Sequence, residues 1–135
     1  GAIEDIWIND ANLEPTFRVI GEVKPRGICG SGLIALLAEM FLTGVIDKAG
    51  NFADSSKTPR IRRGEHGWEY VICYADETSN GTDIAITHVD VDNLLRAKAA
   101  IYAGYSVLAN SVGVPLDWVE QVLIGNWFTA RFRLE

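Results

Sequence analysis

The sequence predicts an α+β fold with α/β-like character, made of a hairpin, further short strands and two main helices. Three observations predict it. The apolar period is two over Thr16 to Glu22 and becomes helical over Leu33, Leu36, Leu37, Met40 and Phe41. An Asn80-Gly81 turn signal separates two strand-like runs. A second helical period runs from Leu94 to Leu108 between strong boundary residues.

Taken in order, Ile3, Ile6, Trp7 and Ile8 make a first strand, and Asn9 to Glu14 is a turn closed by Pro15. Thr16 to Glu22 alternates through Phe17, Val19 and Gly21 and reads as a second strand. Lys24-Pro25-Arg26-Gly27 is a loop. A helix is expected from about Ser31 to Gly44, a favourable residue just past a helix end. Residues 47 to 66 are polar, hold Gly50, Pro59 and Gly64, and read as a long loop. Glu69 to Ala75 and Asp83 to Thr87 should pair as the hairpin. Thr87 and Asp90 stand three apart in a capping-box arrangement and open the second helix, which Gly113 ends near Val112. Leu116 to Glu120 reads as a short helical turn before a buried strand at Val122 to Ile124, and Gly125 follows at once.

Composition narrows the function classes. Hydrophobic residues make up 48% of the 135, which excludes a disordered chain. A net charge of −6 argues against a nucleic-acid partner, because phosphate binding wants a basic surface. No apolar run is long enough for a membrane span, and the opening Gly1-Ala2-Ile3-Glu4-Asp5 does not read as a signal peptide. A cytoplasmic protein without a membrane partner is expected. Cys29 and Cys73 form no metal-binding spacing with either histidine, so no metal site is expected within the chain.

Two places are candidate ligand contacts. Gly27-Ile28-Cys29-Gly30-Ser31-Gly32 opens a helix, where free N–H groups and a positive dipole end meet a backbone that ligands can approach closely. Ser31 can cap that helix or offer its hydroxyl to a ribose or phosphate. On spacing alone a tight packing turn is the favoured reading, since the motif matches neither a Walker A loop nor a dinucleotide fingerprint. The second place is Val122-Leu123-Ile124-Gly125-Asn126, a strand running into a glycine turn. Cys29 is either a thiol activated by the helix start or a small packing residue. His66, His88, Asp90 and Asp92 show no catalytic order, so no catalytic residue is assigned. Arg60, Arg62 and Arg63 read as a solvated run, and the four tryptophans as core or edge packing.

The glycine-rich start with Leu33-Ile34, the Gly44-Val45-Ile46-Asp47 step and the run Asp92-Asn93-Leu94-Leu95-Arg96-Ala97-Lys98-Ala99-Ala100-Ile101 occur in one known order. In that combination the chain resembles the C-terminal ATPase region of the reductive activators of corrinoid proteins. Their large domain belongs to the superfamily of acetate and sugar kinases, heat-shock chaperones and actin. The resemblance covers nearly the whole chain. It implies a lobe of such an ATPase, a single domain over 1–135 that is a C-terminal fragment of something longer. It implies nucleotide contacts from Gly30, Ser31 and Gly32 and from Gly125 and Asn126, and a parent protein that uses ATP with Mg and an iron–sulfur cluster. The cluster and both phosphate loops would lie outside this chain, which alone is then expected to be inactive. The implied partners are a corrinoid protein and the remaining lobe of the parent ATPase.

The sequence departs from the family where Gly125-Asn126-Trp127-Phe128-Thr129 lacks the second glycine of a Gly-x-Phe-Gly turn. That departure keeps a non-catalytic interaction module of the same fold in view. A small-molecule kinase lobe is the third reading, and no substrate-side acid or base stands out for it.

Overall fold

The computed structural model describes residues 1–113, 119–123 and 129–132. The chain divides into two compact units, Gly1–Leu94 and Leu95–Glu135. The expected mixture of helix and sheet is what it adopts.

In the first unit, β1 (Ala2–Ile8) is the central strand of a three-stranded sheet. It pairs antiparallel with β2 (Pro15–Val19) and parallel with β3 (Gly27–Ile28). Pro15 begins an edge strand, where its missing N–H costs no ladder bond. Strand β2 stops at Val19, short of the expected Glu22, because Gly21 (φ 84°) and Glu22 (φ 52°) turn into the left-handed region. Gly27 and Ile28 were expected in a loop and a turn, but they form the short parallel strand instead.

Helix α1 (Gly30–Thr43) packs across β1. Its buried Leu36 and Met40 belong to the same unit's core as Ile3, Ile6 and Ile8 of the strand. Each such burial contributes roughly 1.5–3 kcal/mol. The helix stops as expected at Gly44 (φ 79°), and the Ile46 N–H returns to the Met40 carbonyl at 3.2 Å, satisfying a terminal acceptor.

The second sheet is antiparallel, in the order β4 (Ile61–Gly64), β5 (Gly67–Cys73), β6 (Ile84–Thr87). The expected hairpin is β5 with β6, shifted toward Gly67 because Ala75–Glu77 winds into a 3-10 turn. Strand β4 and a 3-10 turn at Ser55–Lys57 correct the expectation of a long loop with little regular structure over 47 to 66. Arg62 lies directly opposite Glu69, and their ion pair at 3.0 Å extends to Asp83 at 2.6 Å. Cross-strand partners therefore hold an arginine-rich segment extended where local propensity alone does not.

Helix α2 (His88–Val112) starts with the reciprocal cap read from the sequence. The Asp90 N–H donates to Thr87 Oγ1 at 3.2 Å, and the Thr87 N–H donates to Asp90 Oδ2 at 3.0 Å. Gly113 (φ 71°) follows the last helical residue. In the second unit β7 (Val119–Leu123) pairs antiparallel with β8 (Thr129–Phe132). Val119 and Glu120 are thus strand rather than helical turn. Residues 116–118 and 124 lie outside the described residues.

Candidate functional site

The start of α1 is placed by β1 and β3. Once Ile28 pairs beside Ile3, the Cys29 N–H donates to the Ile3 carbonyl at 3.1 Å. Cys29 stays extended (φ −82°, ψ 170°), so it is the N-cap, and the helix begins at Gly30 rather than Ser31. Ser31 therefore does not cap the helix. Its hydroxyl lies 3.1 Å from Cys29 Sγ and 3.4 Å from the Glu4 carbonyl oxygen.

The three glycine-turn candidates separate into two roles. A Cβ on Gly32 would stand 2.3 Å from the Ile3 carbonyl oxygen, so this buried glycine lets the helix seat against β1. Around Gly30 there is open space for a Cβ, and both Gly30 and Ser31 are exposed. The first turn thus presents N–H groups and the Ser31 hydroxyl to whatever approaches it. Gly125 and Asn126 lie outside the described residues, and β7, which leads to them, is in the second unit.

Cys29 adds chemistry to the same turn. Its thiol lies 3.3 Å from the Ile3 carbonyl oxygen and makes no side-chain cap bond to the helix. The Ser31 hydroxyl, then the Gly32 N–H, favour the thiolate and pull the thiol below its usual range, against a smaller opposing effect of burial. Cys73 is the opposite case: burial, with Glu77 beside it, pushes its thiol up. Both cysteines are free. Among the described residues no three His, Cys, Asp or Glu side chains gather in a way that could hold a metal ion. No described helix is long and apolar enough to cross a membrane.

A second concave place was not singled out in the sequence. An open cleft of about 240 Å³ is lined by Gly50, Asn51 and Phe52, by Arg63, Gly67 and Trp68 around the β4–β5 turn, and by His88 and Asp92 of α2. The arginine run divides here. Arg60 pairs with Glu14 and Arg62 with Glu69 and Asp83, while Arg63 lies over the Trp68 ring at 5.8 Å. The spacing carries a signal for this once 61–64 is taken as a strand, because neighbours 62 and 63 then point to opposite faces. His66 is exposed, and His88 Nδ1 lies 3.8 Å from Asp92 Oδ2. Trp7 and Trp68 are exposed, on the central strands of their two sheets, rather than packed in the core or at an edge, while Trp118 and Trp127 lie outside the described residues.

Comparison with known proteins places this geometry in a family context. The family model described as the C-terminal domain of RACo, the ASKHA domain, matches residues 1–131. The corrinoid activation enzyme RamQ of Eubacterium limosum is 35% identical over 135 residues, covering 95% of this chain and 22% of that protein. A solved structure of a reductive activator for corrinoid, iron-sulfur protein is similar with a TM-score of 0.81 and 46% identity, over 87% of this chain and 19% of that one. The chain therefore spans roughly a fifth of the length of these relatives.

Proposed function

The chain belongs to the family of the C-terminal ASKHA domain of RACo, and from that premise we propose that it serves in a reductive activator of corrinoid proteins as one wall of an ATP cleft. The observation that carries the nucleotide reading is the exposed first turn of α1. Gly30 leaves room for a ligand, Ser31 offers a hydroxyl, and Gly32 anchors the turn on Ile3 so that its N–H groups keep one direction.

A ribose hydroxyl or a phosphate oxygen suits this turn. The N–H groups and the Ser31 hydroxyl donate, and the helix dipole favours negative charge. The family resemblance implies adenosine contacts from Gly125 and Asn126, which lie outside the described residues. Phosphate loops and Mg would come from the remaining lobe of a cytoplasmic parent protein. ATP hydrolysis there would drive the uphill one-electron reduction of a Co(II) corrinoid to Co(I), with the electron supplied by an iron–sulfur cluster elsewhere in the parent protein. An iron–sulfur cluster does not fit the described residues of this chain, where no set of metal-ligating side chains gathers, so no electron-transfer step is assigned to it.

Titration calorimetry with a non-hydrolysable ATP analogue tests the reading in the full-length protein. Binding should be seen and should weaken several-fold in Ser31→Ala. Absence of binding in the full-length protein would exclude the cleft. Capture of a corrinoid protein that ignores nucleotide would favour the interaction-module reading instead.

A further inference from the structure

We propose that Asn80, in the turn between β5 and β6, is a site of spontaneous modification, where the chain converts its own asparagine to aspartate and isoaspartate. The site is separate from the first turn of α1 and does not depend on nucleotide binding there.

The case starts from the turn signal. Of the chain's asparagines, only Asn80 precedes a glycine. Both Asn80 and Gly81 are exposed, so water reaches them. Gly81 takes φ 68°, and the space where a Cβ would stand is open. Among the described residues its N–H donates no hydrogen bond, so nothing in the fold holds that nitrogen back.

The Asn80 side chain is folded toward this nitrogen. The Thr82 N–H donates to Asn80 Oδ1 at 3.3 Å, which lays the carboxamide over the intervening Gly81 peptide. The same N–H reaches the hydroxyl of buried Thr78 at 3.1 Å, so the donor keeps its place. A donor on the carboxamide oxygen stabilises the negative charge that develops there when its carbon is attacked. Proximity of nitrogen and carbon removes much of the entropic cost of the attack.

Two other asparagines isolate the part played by Gly81. Asn9 Oδ1 accepts from the Ala11 N–H at 2.8 Å, and Asn12 Oδ1 from the Glu14 N–H at 3.0 Å. Their carboxamides are folded in the same way, again onto an N–H two residues ahead. The residues that follow them are Asp10 and Leu13, whose side chains crowd the attacking nitrogen. A glycine carries no such group.

The step is a ring closure followed by hydrolysis. The Gly81 nitrogen gives its proton to water and bonds to Asn80 Cγ. The Cγ–Nδ2 bond breaks, and that nitrogen takes a proton from water and leaves as ammonia. Water then opens the cyclic imide at either carbonyl, giving aspartate or isoaspartate with no change of oxidation state. Both products add a carboxylate beside Asp83, and isoaspartate also adds a carbon to the main chain. The turn it lengthens is tied by the Ser79 N–H to the Pro25 carbonyl at 2.9 Å, just before β3.

The test ages the full-length protein under native conditions and follows its asparagine peptides by mass spectrometry, with isoaspartate read by enzymatic methylation. Asn80 should convert on the order of tenfold faster than Asn9 and Asn12, and isoaspartate should accumulate at Asn80. Gly81→Ala should slow the conversion by about the same factor. Asp10→Gly should raise conversion of Asn9 toward that of Asn80, which keeps the test independent of any strain in Gly81→Ala. Circular dichroism confirms that each variant is folded. Equal conversion at Asn80, Asn9 and Asn12, an unchanged rate in folded Gly81→Ala, no gain at Asn9 in Asp10→Gly, or an Asn80 that stays intact would each overturn the proposal.

Discussion

The Tyr70 hydroxyl donates a buried hydrogen bond of 2.7 Å to the Leu13 carbonyl, joining residues 57 apart in sequence. Tyr70 sits in the middle of β5, and Leu13 in the turn between β1 and β2, so the bond ties one sheet's core to the other sheet's loop. Leu13 is itself buried with φ 58°, an unusual conformation for a branched side chain. Its N–H bonds back to the Asn9 carbonyl at 2.7 Å, which helps hold that turn. Burial pushes the Tyr70 phenol well above the usual tyrosine range, so it stays a donor throughout the physiological pH range.

Tyr70→Phe should therefore destabilise the chain by about 1–3 kcal/mol, since the ring stays but the Leu13 carbonyl loses its donor in a dry place. Urea unfolding measures this. An unchanged midpoint would mean that the carbonyl finds another partner.

Gly30 and Gly32 should answer oppositely to alanine. Gly32→Ala drives a methyl into the Ile3 carbonyl and should cost on the order of 2 kcal/mol in stability. Gly30→Ala meets open space and should be neutral or stabilising by less than about 1 kcal/mol. If the first turn contacts nucleotide, Gly30→Ala should nonetheless weaken analogue binding in the full-length protein. Thermal melts beside calorimetry separate the two effects, and equal loss of stability in both variants would contradict the division of roles.

The Arg62 guanidinium, followed by the Ala75 N–H at 2.7 Å, holds the Asp83 carboxyl below its ordinary value of 3.8. A carboxyl depressed by folding contributes stability above its unfolded value, and that contribution is lost as pH falls through the lower folded value. Stability should thus be level from about pH 7 to 5 and fall below about pH 4. Asp83→Asn should lower the neutral-pH stability and flatten the acid limb. Chemical denaturation across pH checks both, and an unchanged acid limb in the variant would remove Asp83 from the account.

In the folded chain Cys29 should alkylate well before Cys73, with its half-maximal rate below the ordinary thiol value of 9.0. Ser31→Ala should move that pH profile upward, because the hydroxyl is the largest influence favouring the thiolate. Peptide mapping of iodoacetamide-treated protein reads both rates. Equal labelling of the two cysteines would show that the Cys29 environment does not activate it.

How much was legible follows from how local each feature is. The period of α1, its stop at Gly44 and the Thr87–Asp90 cap depend on residues within a few positions of each other, and the β5–β6 hairpin joins two runs that each carry a strand pattern of their own. Their partners are therefore written in sequence order. Strand β3 is two residues long and exists through Ala2 and Ile3, far earlier in the chain. Strand β4 has one buried apolar residue, Ile61, and owes its extension to β5. Neither carries enough period of its own to be seen.

The glycine turn shows the same division inside a single motif. That glycines would open a helix before Leu33 was readable from the sequence, as was the family whose model matches residues 1–131. That Cys29 is the cap, that Gly32 serves the packing on Ile3 and that Gly30 faces open space were decided only by where β1 lies beneath the helix. The same holds for Arg63, which differs from Arg60 and Arg62 through the strand that turns it toward Trp68. Propensity, period and capping act between near neighbours, and so the sequence by itself determined the elements and the family. Close approach, exposure and charge pairing depend on residues brought together from distant positions, and so the roles of individual side chains awaited the tertiary structure.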